Sequence, residues 1–263
     1  APGNPNRRSA AGAQRGRGAP ATGIGRANVS QRAAVVTIDG PAGVGKSTVG
    51  RRVASVLHLP FIDTGIFYRA LTVAANRAGL TEADPLPLRQ LSERVRLEIN
   101  SDPDPAAGSW QARLDGQELR DELWDPGLST LLAYVARQAE IRQALLAAQR
   151  APAARGAVAV GRDTGTVVFP EAKCKVYLDA PTEVRLGRRR KELQSRGRDA
   201  SEEVLRADVL TRDQTDLSRR HAPLAVPVDA LSIDTTAFSA DQVVELVLAE
   251  CRRRAVQIGD LAP

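Results

Sequence analysis

The sequence has no methionine, two cysteines, two histidines and only 3% aromatic residues in 263 positions. Each scarcity excludes something. So few aromatic rings leave little to stack the bases of a single-stranded nucleic acid. Cys174 and Cys251 stand far apart in sequence, nothing suggests a disulfide framework or a zinc site, and a reducing, cytoplasmic setting is the default expectation. Cys174, beside an apolar strand, reads as a packed residue rather than a reactive one. His58 and His221 fall on or beside helical stretches and need no catalytic role. No apolar run approaches the roughly 20 residues of a membrane span. The N-terminal stretch has no apolar h-region, so no secretory signal is expected. With methionine absent, the true start of the chain is open.

Lysine is scarce as well. There are only Lys46, Lys173, Lys175 and Lys191; the other 33 of the 37 basic residues are arginine. The net charge of +6 suggests an anionic partner until it is located. Residues 1–32 hold six arginines (7, 8, 15, 17, 26 and 32) and no acid, and the remainder is neutral, with 31 basic and 31 acidic residues. This Gly/Ala/Pro/Arg-rich segment has no apolar period and is expected to be a disordered, solvated tail. RNA or an acidic surface is its less favoured partner.

Residues 40–47 read Gly40, Pro41, Ala42, Gly43, Val44, Gly45, Lys46, Ser47, followed by Thr48. This is a complete G-x-x-x-x-G-K-S loop. An apolar stretch enters it and a helical stretch, Thr48 to His58, leaves it, as a phosphate-binding loop requires. Its N–H groups and the following helix N-terminus favour a polyphosphate. Lys46 can reach the β- and γ-phosphates, and the Ser47 hydroxyl can ligate Mg²⁺. A compact ammonium fits between phosphates where a guanidinium does not, so the lysine at 46 is telling in an arginine-rich chain.

Five apolar stretches, 34–38, 60–63, 157–160, 175–180 and 230–234, are predicted to form a five-stranded parallel sheet flanked by helices, an α/β fold. Ligands bind beyond the carboxyl ends of such strands. Residues 93–120 break the rhythm: Val95, Leu97 and Ile99, then Trp110, Ala112 and Leu114, alternate with polar residues around Asp115-Gly116. They predict a small antiparallel insert whose loop is 102–108. One long helix, carrying Arg137 and Arg142, is expected from about Gly127 to Arg150. Ser239 and Gln242 predict a capping box for the last helix.

The strand ends carry cations. Arg69 follows the second strand and Arg162 the third; Arg185, Arg188, Arg189 and Arg190 load the helix after the fourth. Arg212, Asp216 and Arg219 fall at i, i+4 and i+7, one face of a helix after Ser201. Taken singly, each reads equally well as a solvated surface arginine. Together they suit an acceptor that is itself a phosphate, which needs cations rather than a base. Asp163 is the one carboxylate placed to act as a base, which leaves a hydroxyl acceptor open.

Gly40-Pro-Ala-Gly-Val-Gly-Lys-Ser-Thr48, Asp63-Thr-Gly-x-x-Tyr-Arg69, Gly161-Arg-Asp-x-Gly-Thr-Val-Val-Phe-Pro170 and Arg212-Asp-x-x-Asp-x-x-Arg219 with Ala222-Pro-Leu224 resemble bacterial cytidylate kinase. The likeness runs from about residue 33 to 254. It implies transfer of the ATP γ-phosphoryl to CMP or dCMP with Mg²⁺. It implies a kinase domain over 33–263 with a core (33–64, 150–184 and 200–256), a monophosphate-binding insert (about 65–130) and an arginine-rich lid (about 185–200). By the resemblance, Arg69 and Arg162 hold the acceptor phosphate beside Thr64. Arg212 and Asp216 reach the sugar, Arg219 lies near the phosphates, and Arg188 and Arg189 close over ATP. Cytosine offers an N4 amine to Asp163 and an N3 or O2 acceptor to Arg142; uracil reverses that pattern. A monomer is expected. The sequence departs from the family at Ala133, where a serine often touches the base, and at Ile66-Phe67, bulkier than the usual pair. The alternatives are a P-loop kinase acting on UMP or a hydroxyl, and a nucleotide-dependent RNA-binding protein that uses the tail.

Overall fold

The computed structural model describes residues 34–101, 110–195 and 201–254. The tail 1–32, the whole predicted insert loop 102–108 and the end of the predicted lid lie outside them. The five expected strands are β1 (Val35–Asp39), β2 (Phe61–Asp63), β6 (Ala157–Gly161), β7 (Cys174–Asp179) and β8 (Leu231–Asp234). They form one parallel sheet in the order β2-β6-β1-β7-β8. Asp39 pairs with Gly161 and Tyr177, Asp63 with Val160, and Asp179 with Asp234. The carboxyl ends of all five strands are therefore level, and the loops that follow share one rim.

Both faces of this sheet are buried. On β6, Ala157 and Ala159 join one apolar cluster, while Val158 and Val160 join the other. That two-residue alternation explains why the strand reads as a continuous apolar run. Helices α1 (Lys46–Leu57) and α8 (Ala240–Arg253) cover the valine face. Helix α8 opens with the expected capping box at Ser239 and Gln242. On that face Cys174 and Cys251 meet, both buried and free, with sulfurs 3.4 Å apart. Their 77-residue separation hid this.

The other face is covered by α2 (Gly65–Arg77), with α3 (Pro85–Arg94) and the three-stranded antiparallel sheet β3 (Leu97–Ser101), β4 (Trp110–Leu114) and β5 (Gln117–Leu119) packed beyond it. Asp115 and Gly116 form the β4–β5 turn with φ of 48° and 82°. These are the left-handed angles of a type I′ hairpin.

Two expectations fail. The long helix over 127–150 is two helices, α4 (Ser129–Arg137) and α5 (Ala139–Arg150), because Gln138 is extended at ψ 120°. The side chain of Arg142 donates to the Ala136 carbonyl at 3.0 Å, satisfying an acceptor freed by the break. No glycine or proline marks the spot, so the tertiary pairing of Arg142 overrides local helix propensity. The second failure concerns Arg219. Helix α7 (Glu202–Ser218) ends before it, and Arg219 is extended at φ −59°, ψ 129°. Arg212 and Asp216 remain on the helix, while Arg219 turns inward from its end. Helix α6 (Thr182–Ser195) carries Arg185, Arg188 and Arg189.

Candidate active site

The donor end begins where β1 leaves the sheet. Gly40 has φ +148°, and a Cβ there would lie 2.1 Å from the Leu178 carbonyl oxygen, so the loop can cross β7 only with glycine. Lys46 opens α1, two residues earlier than expected. It is buried, and its Nζ donates to the Pro41 carbonyl at 2.6 Å, inside the loop. Burial, and next the nearby Arg162, hold its ammonium well below the usual lysine range. A polyphosphate entering the loop supplies the opposite charge this group lacks. The Ser47 hydroxyl donates to Asp63 Oδ2 at 3.1 Å. The other Asp63 oxygen accepts from the Gly65 amide at 3.0 Å.

The rest of the rim is rich in arginines. Arg162, at the end of β6, donates from Nε to Asp216 Oδ2 at 2.7 Å. Arg219 pairs with the other Asp216 oxygen at 3.3 Å. Arg142 and Asp163 form an ion pair with both side chains more than nine-tenths buried. Arg142 also lies 5.1 Å over the Tyr68 ring. Arg69 donates to the Leu123 carbonyl at 3.0 Å and stacks 4.5 Å from the Trp124 ring. Among the described residues, the buried Nε atoms of Arg142 and Arg219 have no hydrogen-bond partner. Burial lowers the Arg219 pKa, offset only in part by Asp216. Unmatched buried donors of this kind cost about 1–3 kcal/mol each, a cost that an arriving anion relieves.

A single cleft of about 1470 Å³ takes in both ends. That exceeds the roughly 300–1,000 Å³ of an ordinary ligand pocket and suits two ligands end to end. Its lining includes every predicted site residue except Gly40 and Pro41, the first two of the loop.

The family described as "Cytidylate kinase" matches residues 36–253. The chain belongs to this family. The cytidylate kinase of Symbiobacterium thermophilum is 37% identical, over 84% of this chain and 97% of that protein. That of Syntrophotalea carbinolica is 40% identical, over 82% and 91%. That of Pelotomaculum thermopropionicum is 38% identical, over 81% and 94%. Among solved structures, a gluconokinase from Sinorhizobium meliloti aligns over 86% of this chain and 95% of its own at 16% identity and a TM-score of 0.42. That likeness is too remote to bear on the substrate.

Within this cytidylate kinase family site, several of the expected residues also have protein partners. Asp163 and Arg142, assigned to separate edges of a base, bind each other. Thr64 is buried, and its hydroxyl donates to the Val160 carbonyl at 3.1 Å, fastening β2 to β6. Arg188 donates to the Thr235 hydroxyl at 2.8 Å and its carbonyl at 2.7 Å, so it is docked beside the phosphate loop. Arg189 pairs with Glu192 at 2.8 Å on its own helix. Arg212 lines the cleft from α7.

Sequence reasoning missed Asp39. Its carboxylate accepts from the Thr164 amide (2.8 Å), the Thr164 hydroxyl (2.6 Å) and the Gly165 amide (2.7 Å). It thereby ties the turn holding Arg162 and Asp163 to the strand that feeds the phosphate loop. Burial raises its pKa despite those bonds. An acid closing an apolar strand was the available signal. Asp63, quoted only within a motif, proves to be the Ser47 partner.

Proposed function

We propose that the protein transfers the γ-phosphoryl group of ATP to CMP and dCMP, giving ADP and CDP or dCDP. What carries the reading is the pairing, in one cleft, of a phosphate loop with buried arginine donors that lack partners. Two phosphates repel, and the arginine-lined wall offsets that repulsion where the chemistry occurs.

Phosphoryl transfer of this kind rests on positioning and charge stabilisation rather than on covalent help. The loop amides and Lys46 hold the β- and γ-phosphates. Arg162 and Arg69 grip the acceptor phosphate, so that its oxygen lies in line with the γ-phosphorus. Arg219 adds charge between the two. Arg212 and Asp216 approach the sugar, and Thr64 keeps the rim in register through β6. Arg188 and Arg189 flank the donor. The acceptor oxygen is already ionised and needs no base, and Asp163 is committed to Arg142. A hydroxyl acceptor is therefore disfavoured.

Mg²⁺ fits this site. Among the described residues no group of three or more His, Cys, Asp or Glu side chains converges on a metal position. Magnesium, however, takes few protein ligands and completes its shell with phosphates and water. The Ser47 hydroxyl, with Asp63 behind it, would hold it against the donor phosphates and neutralise their charge.

Asp163 and Arg142 choose the base. The carboxylate accepts from the cytosine N4 amine, and Arg142 Nε has a donor to spare for N3 or O2. Ala133 lines the same cleft and offers no hydroxyl, so discrimination against UMP rests on these two. In domain terms, residues about 65–130 serve as the monophosphate-binding insert and about 185–200 as the lid. The tail 1–32 stands outside the enzyme, which works as a monomer in the cytoplasm. No described helix is long and apolar enough to cross a membrane.

A coupled ADP-release assay with CMP, dCMP, UMP, AMP and a shikimate-like alcohol tests the proposal. Turnover of CMP and dCMP well above the others is expected. Turnover of the alcohol alone would sink it.

A further inference from the structure

Arg185 points away from the cleft, yet it is among the most buried charges in the protein, at 5% exposure. From α6 its guanidinium reaches in four directions. Nε donates to the Ala180 carbonyl at 3.0 Å, and Nη1 donates to the Ala42 carbonyl of the phosphate loop at 3.1 Å. Nη2 donates to the Thr182 hydroxyl at 3.1 Å and pairs with Asp213 Oδ2 at 2.7 Å. The loop also leans on the Arg185 backbone. Gly43 is left-handed at φ +76°, and a Cβ there would lie 3.2 Å from the Arg185 carbonyl oxygen.

Asp213 lies on α7, next to Arg212 and three residues before Asp216. Asp216 in turn orients Arg162. The second Asp213 oxygen is buried and, among the described residues, has no hydrogen-bond partner, so Arg185 anchors this carboxylate. One guanidinium thus bonds directly to the donor loop and to the helix that carries the acceptor cations.

We infer that Arg185 and Asp213 are positioning residues, a joint that sets the phosphate loop in register with α7. Neither lines the cleft, so neither touches substrate. The planar fork of arginine meets both partners at once; a lysine ammonium can keep the charge pair but cannot span both. Register matters because a displacement of about 1 Å between reacting groups can cost roughly 100-fold in rate.

The inference rests on the donor and acceptor ends assigned above, and three variants of the full chain test it. ATP affinity is measured by calorimetry with no acceptor present, and CMP kinetics by coupled assay. Failure of the wild type to use CMP would therefore sink the acceptor assignment and still leave the donor half of the joint readable. Arg185→Lys is expected to weaken ATP binding about 10-fold through loss of the Ala42 bond, while the KM for CMP stays within about twofold. Asp213→Asn is expected to do the reverse, raising the KM for CMP and lowering kcat by about 10-fold each while ATP affinity holds. Arg185→Ala is expected to combine both defects. If Arg185→Lys and Asp213→Asn move the two substrates by the same factor, or move only the thermal midpoint, the joint is refuted. Arg185→Ala cannot decide alone because it leaves Asp213 buried and unpaired; the two conservative variants keep the proposal open to refutation.

Discussion

Replacing Asp163 by asparagine changes one charge and almost no volume at the point proposed to read the base. The carboxylate is 5% exposed and bound to Arg142, which lies over Tyr68 and also donates to the Ala136 carbonyl. In Asp163→Asn the guanidinium holds the amide oxygen toward itself. The amide NH₂ then faces the cytosine N4 amine, donor against donor. Loss of a charge-assisted acceptor costs about 1.5–3 kcal/mol, and the unmatched donor adds to it. A total near 3 kcal/mol is roughly a 100- to 200-fold fall in kcat/KM for CMP. Uracil presents an oxygen at the same place, so UMP is expected to lose little or to gain. The fold survives because Arg142 keeps its other partners, and a thermal midpoint close to that of the wild type checks this. The assay is kcat/KM for CMP and UMP by coupled ADP release. An unchanged ratio of the two, with both reduced alike, would show that Asp163 only holds Arg142 in place and would refute its part in choosing the base.

Arg162→Ala removes a cation from the acceptor end and leaves Asp216 to Arg219. Turnover of CMP is expected to fall by about 10²–10³ with ATP affinity kept within about twofold; near-normal turnover would remove Arg162 from the site. Deleting residues 1–32 is expected to leave kcat and KM unchanged, and a large loss would place the tail within the enzyme. Glu250 gives an acid-stability test. Arg253 first, and then Arg254, hold its pKa down at about 2 from an ordinary 4.5. A depressed acid contributes its stabilisation above the unfolded pKa and loses it as pH falls through the folded one. Stability should therefore decline between about pH 4.5 and 2 by a share that Glu250→Gln lacks. Urea melts at pH 3 and pH 7 read this; parallel declines in the two proteins would contradict it.

How much was legible differs from residue to residue. The central strands β1 and β6 read correctly because burial on both faces writes an apolar run into consecutive positions. The capping box at Ser239 and Gln242 read correctly because both of its bonds close within three residues. The break at Gln138 carried no such mark. Arg142, which donates to the Ala136 carbonyl at the break, pairs with Asp163, and no window of sequence around 138 contains that partner. Arg219 illustrates the same limit. Its i+7 spacing from Arg212 is helical, but its buried position beside Asp216 requires the chain to leave the helix first.

The amino-acid sequence by itself determined that residues 40–47 form a glycine-rich loop of the phosphate-binding pattern, that a parallel sheet presents it, and that cations gather along the same rim. Those features rest on local spacing: loop glycines, strand periodicity, and residues that follow strand ends. Only the tertiary structure decided which charges meet. It joined Asp163 to Arg142, Arg162 to Asp216, Asp39 to the turn after β6, and Ala42 to Asp213 through Arg185. It also brought Cys174 against Cys251. The individual contacts cited for these pairings join positions from 21 to 143 residues apart. Their geometry depends on how strands and helices stack. The phosphate loop was legible because its chemistry is contiguous. The acceptor half was legible only as a set of residues until the fold gave them partners.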